Sequence, residues 1–149
     1  MAIMTMTAYQ RPDVEALSAL SAVQLKMRAR IERVLPPGVS ATTFEVLERL
    51  SAGEGGSPAA IAKSLGLSRP AFSHVLARLQ AQQWVDVVGD PDDGRRKYLT
   101  LTAAGAAMHR QCLIATRSER SSMRSAILER DAQAALPFLR GLSAWLTAS

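Results

Sequence analysis

The sequence predicts a mainly α fold with one small β-hairpin set in its middle. Three observations carry this. Apolar residues recur at helical spacing through most of the 149 residues. The period changes once, at Trp84-Val85-Asp86-Val87-Val88, a β-rich run followed by the turn cluster Gly89-Asp90-Pro91-Asp92-Asp93-Gly94. The chain is 48% hydrophobic and 21% charged, which supplies a core for one domain and excludes wholesale disorder.

The elements follow in order. Residues 1–12 are expected to be a disordered tail. A long helix is expected over 14–35, capped by Asp13, with Leu17, Leu20, Gln24, Met27, Ile31 and Val34 on one stripe. Pro36-Pro37-Gly38 stops it. A second helix covers roughly 41–52, capped by Ser40 or Thr42, the latter at capping-box spacing from Glu45. Ser57-Pro58 opens a short helix over 58–65. Gly66 is free to take positive φ in the turn to Ser68, which caps a helix over 69–82. That helix buries Phe72, Val75, Leu76 and Leu79 and shows Arg69, Pro70, Ser73, His74 and Arg78 on its other side. After the hairpin, whose second strand is expected over 96–101, Thr102 caps a helix running to about Leu128. A last helix is expected over 131–147, with Leu136, Leu139, Leu142 and Leu146 as its seam. Pro137 in its interior predicts a kink, or a helix that starts near Pro137.

Composition narrows the function classes. No apolar run reaches the ~18–20 residues of a membrane span, and the N-terminus lacks the apolar region of a secretory signal, so the cytoplasm is the expected compartment. A single cysteine, Cys112, excludes a disulfide framework and a cysteine-based zinc finger. No cofactor or metal is implied. The net charge of +5 is spread along the chain, and of 18 basic residues only Lys26, Lys63 and Lys97 are lysine. Arginine suits bidentate contact with phosphate and guanine edges, although the chain's alanine-rich composition accounts for that ratio as well.

Two short helices joined by a glycine-containing turn make a helix-turn-helix, whose second helix reads a major groove, and the hairpin after it makes a wing. Ser68 and Arg69 stand where helix N–H groups and dipole face phosphate. Pro70 lies in the same first turn, Ser73 and His74 are within reach of base edges, and Arg78 is within reach of phosphate. At the wing tip Arg95 is placed to enter a minor groove, with Asp93 two residues away to orient its guanidinium; Arg96 and Lys97 serve backbone contacts or remain solvated. Phe72 reads as core, Trp84 as strand packing and Trp145 as part of a helix seam.

Residues 57–105 resemble the winged helix-turn-helix regulators of the MarR family. The matching stretches are Ile61-Ala62, Leu65-Gly66-Leu67-Ser68, Ser73 to Leu79, Asp90 to Arg95, and Leu99-Thr100-Leu101-Thr102 with Gly105. The Asp-x-Arg tip followed by Leu-Thr and a nearby glycine is the specific part. The resemblance implies a winged helix-turn-helix DNA-binding domain over 40–102 and a helical dimerisation region made of 13–39 and 103–149. It also implies a homodimer on a pseudo-palindromic double-stranded operator, acting as a repressor that a small anionic or aromatic effector releases. The chain departs from the pattern at Gln83, where glycine is common, at Val87, where a basic residue is usual, and at Gln80, which replaces a frequent glutamate.

Other readings compete. Arg110, Arg117, Arg120 and Arg124 form a basic stripe that is either a solvated helix face or an anion-binding wall, with Arg110 and Arg117 as the effector contacts. Cys112 reads as a buried inert thiol, with a redox-responsive regulator as the alternative. A winged helix used only for protein–protein contact is a further alternative; the charged wing and second helix speak against it. An enzyme would need a catalytic pair in a pocket, and His109 with Cys112 is the sole candidate, without a third orienting group.

Overall fold

The computed structural model describes residues 11–148. Its elements run α1 (Pro12–Glu32), α2 (Ala41–Ser51), α3 (Pro58–Ser64), α4 (Arg69–Ala81), β1 (Val85–Gly89), β2 (Lys97–Leu101), α5 (Ala103–Ala126) and α6 (Glu129–Ala148). The fold is mainly helical, with a single antiparallel hairpin among the described residues; its register pairs Val85 with Leu101, Val87 with Leu99 and Gly89 with Lys97. By contacts the chain divides after Ala115 into two compact units, so α5 belongs to both.

Local chemistry explains most element ends. Ser40, Ser57 and Ser68 each accept a backbone N–H from three residues ahead, satisfying one orphan amide at the start of α2, α3 and α4. Of the two caps open to α2, Ser40 is therefore the one used. Thr42 and Glu45 do not form a capping box but both hold Arg28 of α1, Glu45 at 3.4 Å. Glu32 Oε1 accepts the Ala41 N–H at 3.2 Å, a second tie between α1 and α2.

Three expectations are corrected. Residues 1–10 of the expected tail lie outside the described residues, but Arg11 is the N-cap position of α1 and Pro12 its first residue. Proline at that position loses nothing, because its missing N–H has no intrahelical partner there. Asp13 does not cap α1: it lies in the first turn and its carboxylate pairs with the Arg11 guanidinium at 2.7 Å, which holds Asp13 below the usual carboxylate range. α6 starts at Glu129, not near Pro137, and runs through the proline. Glu129 and Asp131 in its first turn suit the positive end of the helix dipole, and Pro137 forgoes one backbone hydrogen bond.

The core has two parts. The larger gathers Val46, Leu47 and Leu50 of α2, Ile61 and Ala62 of α3, Phe72 and Leu79 of α4, and Val85 and Leu99 of the hairpin. The smaller joins Leu35, Val39, Phe44 and Cys112. Trp84 and Met108 pack against both, so Trp84 is strand-entry packing as expected. The junction there is tight. Gln83 closes α4 with φ +55°, a left-handed conformation that favours glycine. Thr102 donates its hydroxyl to the Gln83 carbonyl at 2.6 Å and its N–H to the Trp84 carbonyl at 3.1 Å. A Cβ on Gly105 would stand 2.0 Å from that Trp84 carbonyl oxygen, so only glycine lets α5 lie this close to the entry of β1. Thr102 caps α5 as expected, accepting the Gly105 N–H at 2.9 Å.

Candidate nucleic-acid interface

The helix-turn-helix is built by its turn. Gly66 takes φ +65°, and the Leu67 N–H reaches back to the Ala62 carbonyl at 2.9 Å. α3 and α4 are thereby brought against one another while Phe72 and Leu79 anchor α4 in the core. Its other face is left in solvent: Ser68, Arg69, Pro70, Ser73, His74 and Arg78 are all exposed. The Ser73 hydroxyl donates to the Arg69 carbonyl at 2.9 Å, which leaves its oxygen as an acceptor. Arg78 does not extend freely; it donates to the Gly38 carbonyl, in the loop before α2, at 3.4 Å.

The wing tip is organised by two aspartates. Asp90 accepts the Asp92 N–H on Oδ1 at 2.9 Å and the Tyr98 hydroxyl on Oδ2 at 3.1 Å. These two donors, the Asp92 amide first, hold the Asp90 carboxyl below its ordinary range. Asp93 accepts the Arg95 N–H at 3.1 Å, but its ion pair is with the Arg96 guanidinium, at 3.7 Å. Asp93 was expected to orient the Arg95 guanidinium. The Asx turn instead spends one carboxylate oxygen on the Arg95 backbone and turns the other toward Arg96.

These elements enclose an open groove of about 700 Å³ between the starts of α3 and α4 and the wing. Arg69 and Ser73 line it from α4, and Arg95, Arg96, Lys97 and Tyr98 from the hairpin. Four cations in one concave strip suit a phosphate-bearing backbone, whose charge they neutralise with release of counterions. Tyr98 was missed from the sequence. Its side chain alternates away from buried Leu99, and that alternation was the available signal.

The other candidates lie elsewhere. Arg110 and Arg117 are exposed on α5, two turns apart. Cys112 is buried, and burial pushes its thiol above the usual range, against thiolate chemistry. His109 is buried too, its ring 6.0 Å from that of Phe44 and its Nε2 without a hydrogen-bond partner among the described residues. Among the described residues no cluster of three or more His, Cys, Asp or Glu is placed to hold a metal ion, and no helix is long and apolar enough to cross a membrane.

A helix-turn-helix with a charged hairpin beside its second helix defines the class: this is a winged helix-turn-helix protein. Residues 38–96 match the MarR family. The chain is 32% identical over 89 residues to the multiple antibiotic resistance protein MarR of Escherichia coli, a match covering 60% of this chain and 62% of that protein. Among solved structures, a mutant Escherichia coli MarR complexed with operator DNA superposes with a TM-score of 0.75 at 21% identity, covering 88% of this chain and 95% of that one. Bordetella bronchiseptica BpsR, whose DNA binding is regulated by 6-hydroxynicotinic acid, superposes with a TM-score of 0.72 at 22% identity, covering 87% of this chain and 98% of that one. At such identities the superpositions establish the fold.

Proposed function

We propose that the chain is a sequence-specific DNA-binding transcription regulator, a homodimeric repressor that a small molecule releases from a pseudo-palindromic operator. The observation that carries this is the groove in which Arg69 and Ser73 of α4 face Arg95, Arg96 and Lys97 of the wing. Ser68, Arg69, Pro70, Ser73 and His74 supply the major-groove face, and Arg95 the minor-groove contact. Arg96 and Lys97 serve the phosphate backbone. Arg78, tied to Gly38, contributes a phosphate contact once it exchanges that carbonyl for DNA. The operator-bound MarR structure supports the DNA partner, and the BpsR structure supports an effector.

Residues 40–102 are the DNA-binding domain in this reading, and 13–39 with 103–149 the dimerisation region. The exposed apolar side chains of α1 and α6 support the second assignment. Arg110 and Arg117 are the candidate contacts for an anionic or aromatic effector. A DNA ligand places the protein in the cytoplasm. The charged groove favours this reading over a protein-interaction module, which would present an apolar patch.

Fluorescence anisotropy with duplex DNA from upstream of the chain's own gene tests it, with a scrambled duplex as control across a salt series. Tight, salt-dependent binding to the native duplex and a large gap over the scramble are expected. Equal, weak binding to both, erased by salt, moves the protein-interaction reading to the front.

A further inference from the structure

The wing tip is held by more than strand pairing. Asp90 directly follows β1, and its two carboxylate oxygens reach in different directions, one to the turn at Asp92 and one across the hairpin to Tyr98 on β2. The backbone repeats the clamp: Asp90 donates its N–H to the Arg96 carbonyl and Arg96 its N–H to the Asp93 carbonyl, each at 2.9 Å. Arg95 sits inside this clamp. Its own N–H is held by Asp93, while its guanidinium has no partner among the described residues and lines the groove. Arg96, by contrast, has its guanidinium on Asp93. The tip therefore fixes the backbone under one arginine and leaves that side chain free.

Such an arrangement matters because a two-stranded hairpin is marginal by itself. A loose tip must be ordered when its arginine meets DNA, and that ordering weakens binding; a tip ordered in advance avoids the loss. Tyr98 is exposed, so its hydroxyl is not needed to satisfy a buried group. We propose that Tyr98 and Asp90 are positioning residues, whose hydrogen bond braces the wing and holds the Arg95 backbone where its guanidinium reaches DNA. This rests on the DNA-binding reading above and deepens it.

The test is a double-mutant cycle on the full chain, with a duplex that the wild type selects from a random-sequence library. Tyr98→Phe removes only the hydroxyl. It is expected to weaken binding roughly three- to tenfold, the worth of one hydrogen bond, with an unchanged thermal midpoint. In the Arg95→Ala background the same substitution is expected to have less than about a twofold effect, because the arginine that the brace serves is gone. Wild-type affinity of Tyr98→Phe overturns the brace. So does a loss additive with Arg95→Ala, which marks a separate contact, or a loss that tracks a fall in the thermal midpoint. Failure of the wild type to select any duplex overturns the DNA-binding reading and the brace with it, whereas selection followed by a null cycle overturns the brace alone.

Discussion

Gln83 and Gly105 show opposite uses of the same freedom. Gln83 adopts a positive φ without being glycine, while Gly105 has an ordinary φ but no room for a Cβ. Gln83→Gly is expected to stabilise the fold by about 0.5–1 kcal/mol, since it relieves the left-handed conformation although it loosens the unfolded chain. Gly105→Ala is expected to destabilise by about 1–3 kcal/mol, because the atom in its way is backbone that cannot turn aside. Urea unfolding of the two variants checks both signs. At the wing, Arg95→Ala is expected to weaken operator binding by about 1–3 kcal/mol if the arginine reads a groove, measured by anisotropy on the selected duplex. The pattern Asp93-Gly94-Arg95 was legible in the sequence. Which arginine the aspartate holds was not, because that depends on the turn's path.

Among elements, the hairpin links structure to solution conditions. The amide of Asp92 and the hydroxyl of Tyr98 both favour the ionised Asp90 carboxylate and lower its folded pKa. Such a group favours the closed wing over a locally open one above its open-state value, about 4, and that local preference is lost as pH falls through the lower closed-state value, with the rest of the fold untouched. The wing is therefore expected to be fully braced at neutral pH and to loosen only in acid, below about pH 4. The ring and amide resonances of Tyr98, followed by NMR through that range, check this; a change centred near neutral pH would contradict it. Helix limits were legible where a cap residue or glycine marks them, as at Ser57, Gly66, Ser68 and Thr102. One was misread where a residue has two uses: Asp13 is a good cap residue that the Arg11 guanidinium takes instead, whereas of the two caps read for α2 Ser40 serves and Thr42 holds Arg28.

For the molecule as a whole, the outstanding feature is apolar surface on the outer helices. α1 exposes Val14, Leu17, Val23, Leu25 and Met27, and α6 exposes Leu136, Phe138, Leu139, Trp145 and Leu146. Neither helix contains a buried residue. Surface of this kind on two long helices calls for a partner. A dimer at micromolar concentration is the expected result of sedimentation velocity, and Leu139→Asp with Leu146→Asp is expected to shift it toward monomer. In the DNA-binding reading proposed above, operator affinity is expected to fall in step, because two half-sites about 34–36 Å apart would require two lobes held together.

The amino-acid order alone determined the element types, the helix-turn-helix, the wing and the apolar faces, since these depend on period, caps and turn residues within a few positions of one another. Tertiary structure decided what distant residues do together. It tied Arg78 to Gly38, put Tyr98 into one groove with Arg69 and Ser73, and buried His109 beside Phe44. The physical reason is range: a cap competes for amides three residues away, but a side-chain pairing depends on where packing brings segments that the sequence keeps far apart.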